Sequence, residues 1–179
     1  MKKISLLLIA VAVAGIINAQ EGIKIPSGYQ GFLEQGPSVR LWDDGNTSVS
    51  FSTTHGFYFN SNTFIGIGVA LEGGNDFFAM PIYTALKYNF CYSGKVTPTI
   101  QMRLGSYLSE NTGAYADAAF GVRFGSSRDF AINLMLTASY FSKYKTVITE
   151  VYNTATHSYD QTFEEMHPSS IGLRIGIEW

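Results

Sequence analysis

The last eleven residues, Ser-Ser-Ile-Gly-Leu-Arg-Ile-Gly-Ile-Glu-Trp (169–179), set the strongest limit on what this chain can become. Ile171, Leu173, Ile175, Ile177 and Trp179 hold the odd positions, while Gly172, Arg174, Gly176 and Glu178 hold the even ones. A β-strand sends successive side chains to opposite faces, so this strand has one wholly apolar face and one small or charged face. A half-buried strand of a soluble protein alternates in the same way. The rest of the chain has to decide which kind of strand it is.

The opening segment is of another kind. Lys2 and Lys3 precede an apolar run from Ile4 to Ile17, and polarity returns at Gln20-Glu21 after Asn18-Ala19. This is the pattern of a secretory signal peptide over residues 1–19, cut after Ala19. The run is short of the ~17 residues a spanning helix needs. No cysteine follows the cut, so no lipid anchor is expected there. Residues 20–27 form a short lead. Beyond it no long apolar run occurs, and lipid admits only helices or closed barrels. If the mature chain enters a membrane, it does so as a barrel.

Composition agrees with an all-β domain of one unit: 15% charged, 15% aromatic, and 18 glycines in 179 residues. The net charge of -2 gives no sign of a nucleic-acid partner. Cys91 is the single cysteine, so no internal disulfide can form.

Eight strands follow from the alternation: 28–35, 48–59, 63–71, 80–90, 96–108, 114–125, 130–141 and 169–179. Pro37 and Asp43-Asp44-Gly45-Asn46 mark the first link, and Asn60-Ser61-Asn62 a tight turn. Pro98 implies a strand end or bulge. The connections run long, short, medium, short, medium, short, long. Membrane barrels alternate short turns on one side with longer loops on the other. Eleven residues at about 3.3 Å, tilted about 40°, span roughly 28 Å, close to a bilayer core.

Parity assigns the two faces. Phe57, Phe59, Tyr88, Phe90, Phe124, Phe130 and Trp179 gather on the apolar face at the short-turn ends, where an aromatic girdle meets a membrane interface. Glu34, Lys87, Arg103, Asp117, Arg123, Arg174 and Glu178 fall on the opposite face, the one that Gly172, Arg174, Gly176 and Glu178 mark in the last strand. An eight-stranded barrel is just wide enough to be filled by side chains. These four cations and three anions are therefore expected to pair as a charge network that plugs the lumen, the alternative being a narrow conducting path.

Gly28-Tyr29-Gln30-Gly31-Phe32, Gly66-Ile67-Gly68-Val69, Pro81-Ile82-Tyr83 through Tyr88-Asn89-Phe90, Gly121-Val122-Arg123-Phe124-Gly125 and the aromatic terminus stand in the order of a known family. From Gly28 to Trp179 the chain resembles the small outer-membrane β-barrel family of gram-negative bacteria, the OmpA/OmpX-like eight-stranded barrels. The resemblance implies an antiparallel up-and-down transmembrane barrel in the outer membrane with both termini periplasmic. It implies outer-membrane lipid and the barrel-insertion machinery, which reads the terminal strand, as partners. Members act as anchors, adhesins or scaffolds, with no single activity. No appended peptidoglycan-binding domain is expected, because the chain ends with the barrel.

The last excursion, 142–168, departs most from a minimal barrel. Thr146–Tyr152 and His157–Met166 alternate like strands, and 153–156 can turn between them. A protruding hairpin is expected, with exposed edges that could recruit an extracellular partner by strand addition. No phosphate loop, zinc-ligand spacing or nucleophile elbow is present, and no cofactor or metal is expected. His167 and Ser169, with Glu165 nearby, faintly resemble the His-x-Ser pair of outer-membrane lipid A deacylases, which leaves a lipid-modifying hydrolase as one alternative. The other alternative is a soluble periplasmic lipocalin-like barrel, which would turn its apolar face inward around a ligand. His55, mid-strand on the apolar face, is expected to pack against a neighbour or to sit near an interface rather than to bind a metal.

Overall fold

The computed structural model describes residues 27–41, 46–74, 77–91, 95–108, 112–125, 130–142, 144–153, 158–166 and 169–179, with residues 77 and 144–166 described by their backbone. The segments expected as signal peptide and as most of the short lead lie outside the described residues. Ten strands are described: β1 Gly28–Arg40, β2 Thr47–Tyr58, β3 Thr63–Gly74, β4 Phe77–Asn89, β5 Val96–Leu108, β6 Gly113–Gly125, β7 Ala131–Phe141, β8 Tyr144–Asn153, β9 Ser158–Met166 and β10 Ser169–Glu178. Eight of them close into a barrel in the order β1-β10-β7-β6-β5-β4-β3-β2. All neighbours are antiparallel, and β1 meets β10 to close the wall. β8 and β9 form a two-stranded sheet of their own, inserted between β7 and β10.

Closure removes every free edge from the wall, so its backbone groups pair strand to strand. The side chains alternate cleanly between exposed and buried along β7 and β10. The exposed face is the apolar one: Leu173 is 56% exposed, Ile67 70% and Leu104 58%. The buried face carries the charges, with Arg103 1% exposed and Glu178 0%. This is the reverse of what a soluble ligand-binding barrel requires, so the lipocalin-like arrangement does not describe this chain.

Two links are shorter than the turn signals suggest. β1 does not stop at Gln35 but runs through Gly36 and Pro37 to Arg40, pairing Pro37 with Val49 of β2. The proline is tolerated because its missing N–H faces β10, where the register passes from Gln35–Ile175 to Ser38–Gly172 without pairing Gly36 or Pro37. Similarly, the loop expected over 72–79 is mostly ladder. Glu72 pairs with Ala79, Gly73 with Phe78 and Gly74 with Phe77. Gly73-Gly74 is a strong turn signal, yet both glycines extend the strand.

Other local readings match the geometry. Asn60 Oδ1 accepts from the N–H groups of Asn62 and Thr63, both at 2.8 Å, which is how an asparagine side chain stands in for a backbone acceptor in a tight turn. Pro98 lies just past the last β4–β5 ladder pair, Asn89–Thr99, and its carbonyl accepts from Phe90 N–H at 3.0 Å. Gly28 opens β1 at φ 121°, a conformation that other residues rarely take.

The hairpin prolongs the β7–β10 pair beyond the barrel. Ser169 faces Tyr140 in the wall, and Tyr144 faces Met166 in the hairpin. The strands are somewhat longer or shifted relative to the alternation, at 144–153 and 158–166. The ladder shifts register between Val147 and Thr149, a bulge in β8. Most of the turn expected over 153–156 lies outside the described residues.

Candidate functional site

Two surfaces hold the sequence-selected residues: the lumen and the outer wall. In the lumen, parity turns ionisable side chains inward from several strands, and they form two tiers. The first lies at the short-turn end. Glu178, the last residue of β10, accepts from Lys87 Nζ at 2.9 Å and from Arg123 Nε at 3.0 and 3.1 Å. Asn133 accepts from Lys87 at 2.8 Å and donates to Glu178 at 3.3 Å. Lys87 Nζ also sits 4.4 Å from the centroid of the Phe32 ring. Phe32, Phe64 and Tyr58 pack below as an apolar lid, with Phe32 and Phe64 centroids 4.8 Å apart. Asn89 donates to the Tyr58 hydroxyl at 3.0 Å.

The second tier crosses the middle. Arg103 donates to Glu34 and, at 3.2 Å, to Ser52 Oγ. Its Nε is 3.8 Å from Asp117, and its guanidinium lies 4.7 Å from the Tyr83 ring centroid. Arg174 grips Asp117 through two bonds of 3.0 and 2.9 Å, and Ser139 Oγ donates to the same carboxylate at 2.9 Å. A forked pair of this kind is among the strongest charge-assisted contacts. The structure thus brings together Glu34, Arg103, Asp117 and Arg174 in one tier and Lys87, Arg123 and Glu178 in the other.

Toward the hairpin end the lumen becomes aromatic. Tyr83, Tyr107, Tyr115 and Phe141 form a buried cluster with Ala70, Ala79 and Ala85. The Tyr115 and Phe141 centroids are 5.0 Å apart, and Tyr107 OH donates to the Ser142 carbonyl at 2.5 Å. Two further ionisable residues, Arg40 and Glu72, are buried here at 3% and 4% exposure. Sequence reasoning missed both. Their positions carry the even parity of Glu34 and of Phe64 forward, but the expected strands stop at Gln35 and Leu71, before reaching them.

On the outer wall Phe57, Phe59, Tyr88, Phe90, Phe124, Phe130 and Trp179 are all exposed, each at the end where the short turns lie. Tyr88 and Phe90 meet edge to face at 5.4 Å. Tyr29 belongs beside them, although sequence reasoning missed it. It is exposed, and its ring is 5.8 Å from Phe57. His55 stacks on Tyr29 at 6.0 Å, with the Tyr29 hydroxyl 2.6 Å from Nδ1 and Thr53 Oγ1 3.0 Å from Nε2. The Trp179 ring meets it edge-on at 6.2 Å. Both histidine nitrogens are thus engaged by neighbouring side chains.

Among the described residues no group of three His, Cys, Asp or Glu side chains could hold a metal ion. The lipid-hydrolase candidates are not assembled by what is described. Ser169 opens β10 and its carbonyl accepts from Leu41 N–H at 2.9 Å, whereas His167 and the Glu165 side chain lie outside the described residues.

Among solved structures, Neisserial surface protein A superposes with a TM-score of 0.62 at 14% identity, covering 85% of this chain and 96% of that one. It is a small eight-stranded outer-membrane barrel. This chain has that fold: a transmembrane β-barrel. The N-terminal barrel domain of Pseudomonas aeruginosa OprF has a TM-score of 0.47 at 12% identity, covering 86% of this chain and all of the other. A de novo designed transmembrane β-barrel has a TM-score of 0.48 at 9% identity, covering 89% and 100%. No family model matches the sequence, and no curated protein matches it either.

Proposed function

We propose that this is an integral outer-membrane protein whose barrel is a plugged anchor and whose β8–β9 hairpin is the working surface, in the manner of an adhesin or scaffold. The observation that carries the reading is the division of labour between wall and lumen. The apolar face is turned outward, as lipid demands, while the inward charges form ion pairs with one another, which supports a lumen filled by side chains. That leaves the segment beyond the barrel as the part free to engage something else. Its two strands form a sheet with no further partner among the described residues. A free edge offers a row of backbone donors and acceptors to an extended peptide. β8 carries the bulge and β9 is regular, so β9 offers the better edge. One lysine, Lys145, stands against Glu150, Asp160, Glu164 and Glu165 in these strands, which favours a basic segment as the added strand.

Because the start of β1 and the end of β10 both lie at the short-turn end, we assign that end to the periplasm and the hairpin to the outside. The first measurement is membrane fractionation with a heat-shift gel. A detergent-resistant outer-membrane band whose mobility changes on boiling is expected, and a soluble band without a shift would overturn the membrane assignment. Deleting 146–166 should then leave the heat shift intact and abolish surface binding of a basic extended peptide. Unchanged binding would remove the hairpin from the mechanism.

A further inference from the structure

Among the described residues, the strands of the outer wall carry one carboxamide, Gln35 of β1, and it is exposed. On the flanking strands its partners are Phe51 and Ile175. It stands six residues along β1 from Tyr29 and four register steps from Trp179, both of the aromatic end. At about 3.3 Å per residue and a tilt of about 40°, that is roughly 10–15 Å above the girdle, half-way up an apolar band about 25 Å tall. Neither water nor a lipid headgroup reaches that height. The Gln35 amide has no hydrogen bond to any described residue. Lipid chains supply neither donor nor acceptor, so the amide stays unpaired against lipid alone.

The backbone beside it is incomplete as well. Gly31 and Trp179 exchange both ladder bonds, at 2.8 and 3.0 Å, which makes every second pair up β1 a bonded one. In that sequence Leu173 falls opposite Pro37, whose N–H does not exist, and the register omits that pair. A groove of about 260 Å³ lies alongside, lined by Leu33, Phe51, Ile175 and Ile177 around Gln35.

We propose that the outer face of β10, β1 and β2 is where two copies of this chain associate within the membrane, with Gln35 paired to Gln35 across a two-fold axis. A carboxamide carries both donor and acceptor, so it is complementary to itself. A two-fold axis along the membrane normal places the same residue of each copy opposite its twin while both copies keep one orientation. The side chains lining each groove pack against the other copy, and interhelix pairs of the same chemistry hold membrane proteins together elsewhere.

The test uses the folded full barrel in phosphatidylethanolamine–phosphatidylglycerol vesicles. Its single cysteine, Cys91, at the β4–β5 turn, takes donor or acceptor dye. Energy transfer is followed as the protein-to-lipid ratio falls. Wild type should show transfer above the random-mixing level, and Gln35→Leu should weaken association about tenfold, the scale of one or two membrane hydrogen bonds. Thr84→Val, the same kind of change on β4, should leave it unaltered. A heat-shift gel verifies folding of each variant, with Gln35→Met as the second probe should Gln35→Leu misfold. Random-mixing transfer for wild type at every ratio overturns the proposal. So does undiminished transfer in the Gln35 variants, or an equal loss in Thr84→Val.

Discussion

The two faces of this wall are built from the same ten-to-thirteen-residue strands and obey opposite rules. The inner face is polar and buried; the outer face is apolar and exposed. On the outer face no contact between particular side chains is needed, because any apolar residue of suitable size suits lipid. On the inner face each charge depends on a named partner: Arg174 on Asp117, Arg123 and Lys87 on Glu178, Arg103 on Glu34. The same substitution should therefore have very different consequences on the two faces. The lumen should be sensitive to losing a charge and the wall to gaining one.

The largest effect is expected from Asp117→Ala. That carboxylate accepts from Arg174 and Ser139 and faces Arg103, so its loss strands buried guanidinium groups. Removing one partner of a buried pair costs about 3–5 kcal/mol. Denaturant unfolding of the barrel in vesicles would measure it, and a loss under about 1 kcal/mol would mean that water, not Asp117, solvates the arginines. Next comes Leu173→Arg, on the opposite face of the neighbouring β10 position. A cation at mid-bilayer costs about 2–4 kcal/mol in such a barrel. Thr137→Asn on the lumen side of β7 should be mild by the same assay. Equal tolerance of the two would break the contrast between faces.

Much of this contrast is legible in the amino-acid sequence, because a period of two is simple and a barrel keeps it intact along every strand. The parity that turns Arg103, Asp117 and Arg174 one way and Ile171, Leu173 and Ile175 the other is written in the order of residues. The strand count and closed all-β architecture follow from the same pattern. What is not legible is where a strand ends. Pro37 and Gly73-Gly74 carry strong local turn signals, but ladder pairing on the neighbouring strand overrides both, as Pro37–Val49 and Gly73–Phe78 show. Arg40 is hidden behind Pro37, and Glu72 falls just past Leu71, where the expected strand stops. Partner identity within the lumen is equally out of reach. Parity says that Glu178 points inward, but it cannot say that Lys87 and Arg123 converge on it from strands far apart in the chain.

The wall itself has a place where the lumen's strictness returns, at the β1–β10 seam. A side chain at Gly36 would collide with the Leu173 carbonyl, whereas one at Gly73 would meet only the Phe78 ring, 4.0 Å away. Gly36→Ala should therefore cost about 1–3 kcal/mol, as overpacking does. Gly73→Ala should fall within about 0.5 kcal/mol of wild type, as open surface sites do. The pair sharpens the comparison, since the two glycines differ in backbone crowding and not in the face alone. If Gly36→Ala were neutral, the seam would have to open readily enough to absorb a methyl group.

A smaller loss than that of Gly36→Ala belongs to a polar contact on the outer wall that does have partners. Tyr29→Phe removes the hydroxyl 2.6 Å from His55 Nδ1 but keeps the ring that stacks on His55 and meets Phe57. The loss should be about 0.5–1.5 kcal/mol, the net worth of a single hydrogen bond. Water at the interface can replace a lost partner there, so the low end is expected if the Tyr29 level coincides with the headgroups. The high end, or beyond it, would mean that His55 sits in hydrocarbon and depends on Tyr29 as strictly as Arg174 depends on Asp117. Repeating the unfolding measurement in vesicles of shorter acyl chains separates the two. Thinning the bilayer should shrink the penalty if His55 lies just inside the apolar band, and should leave it unchanged if water already reaches the pair.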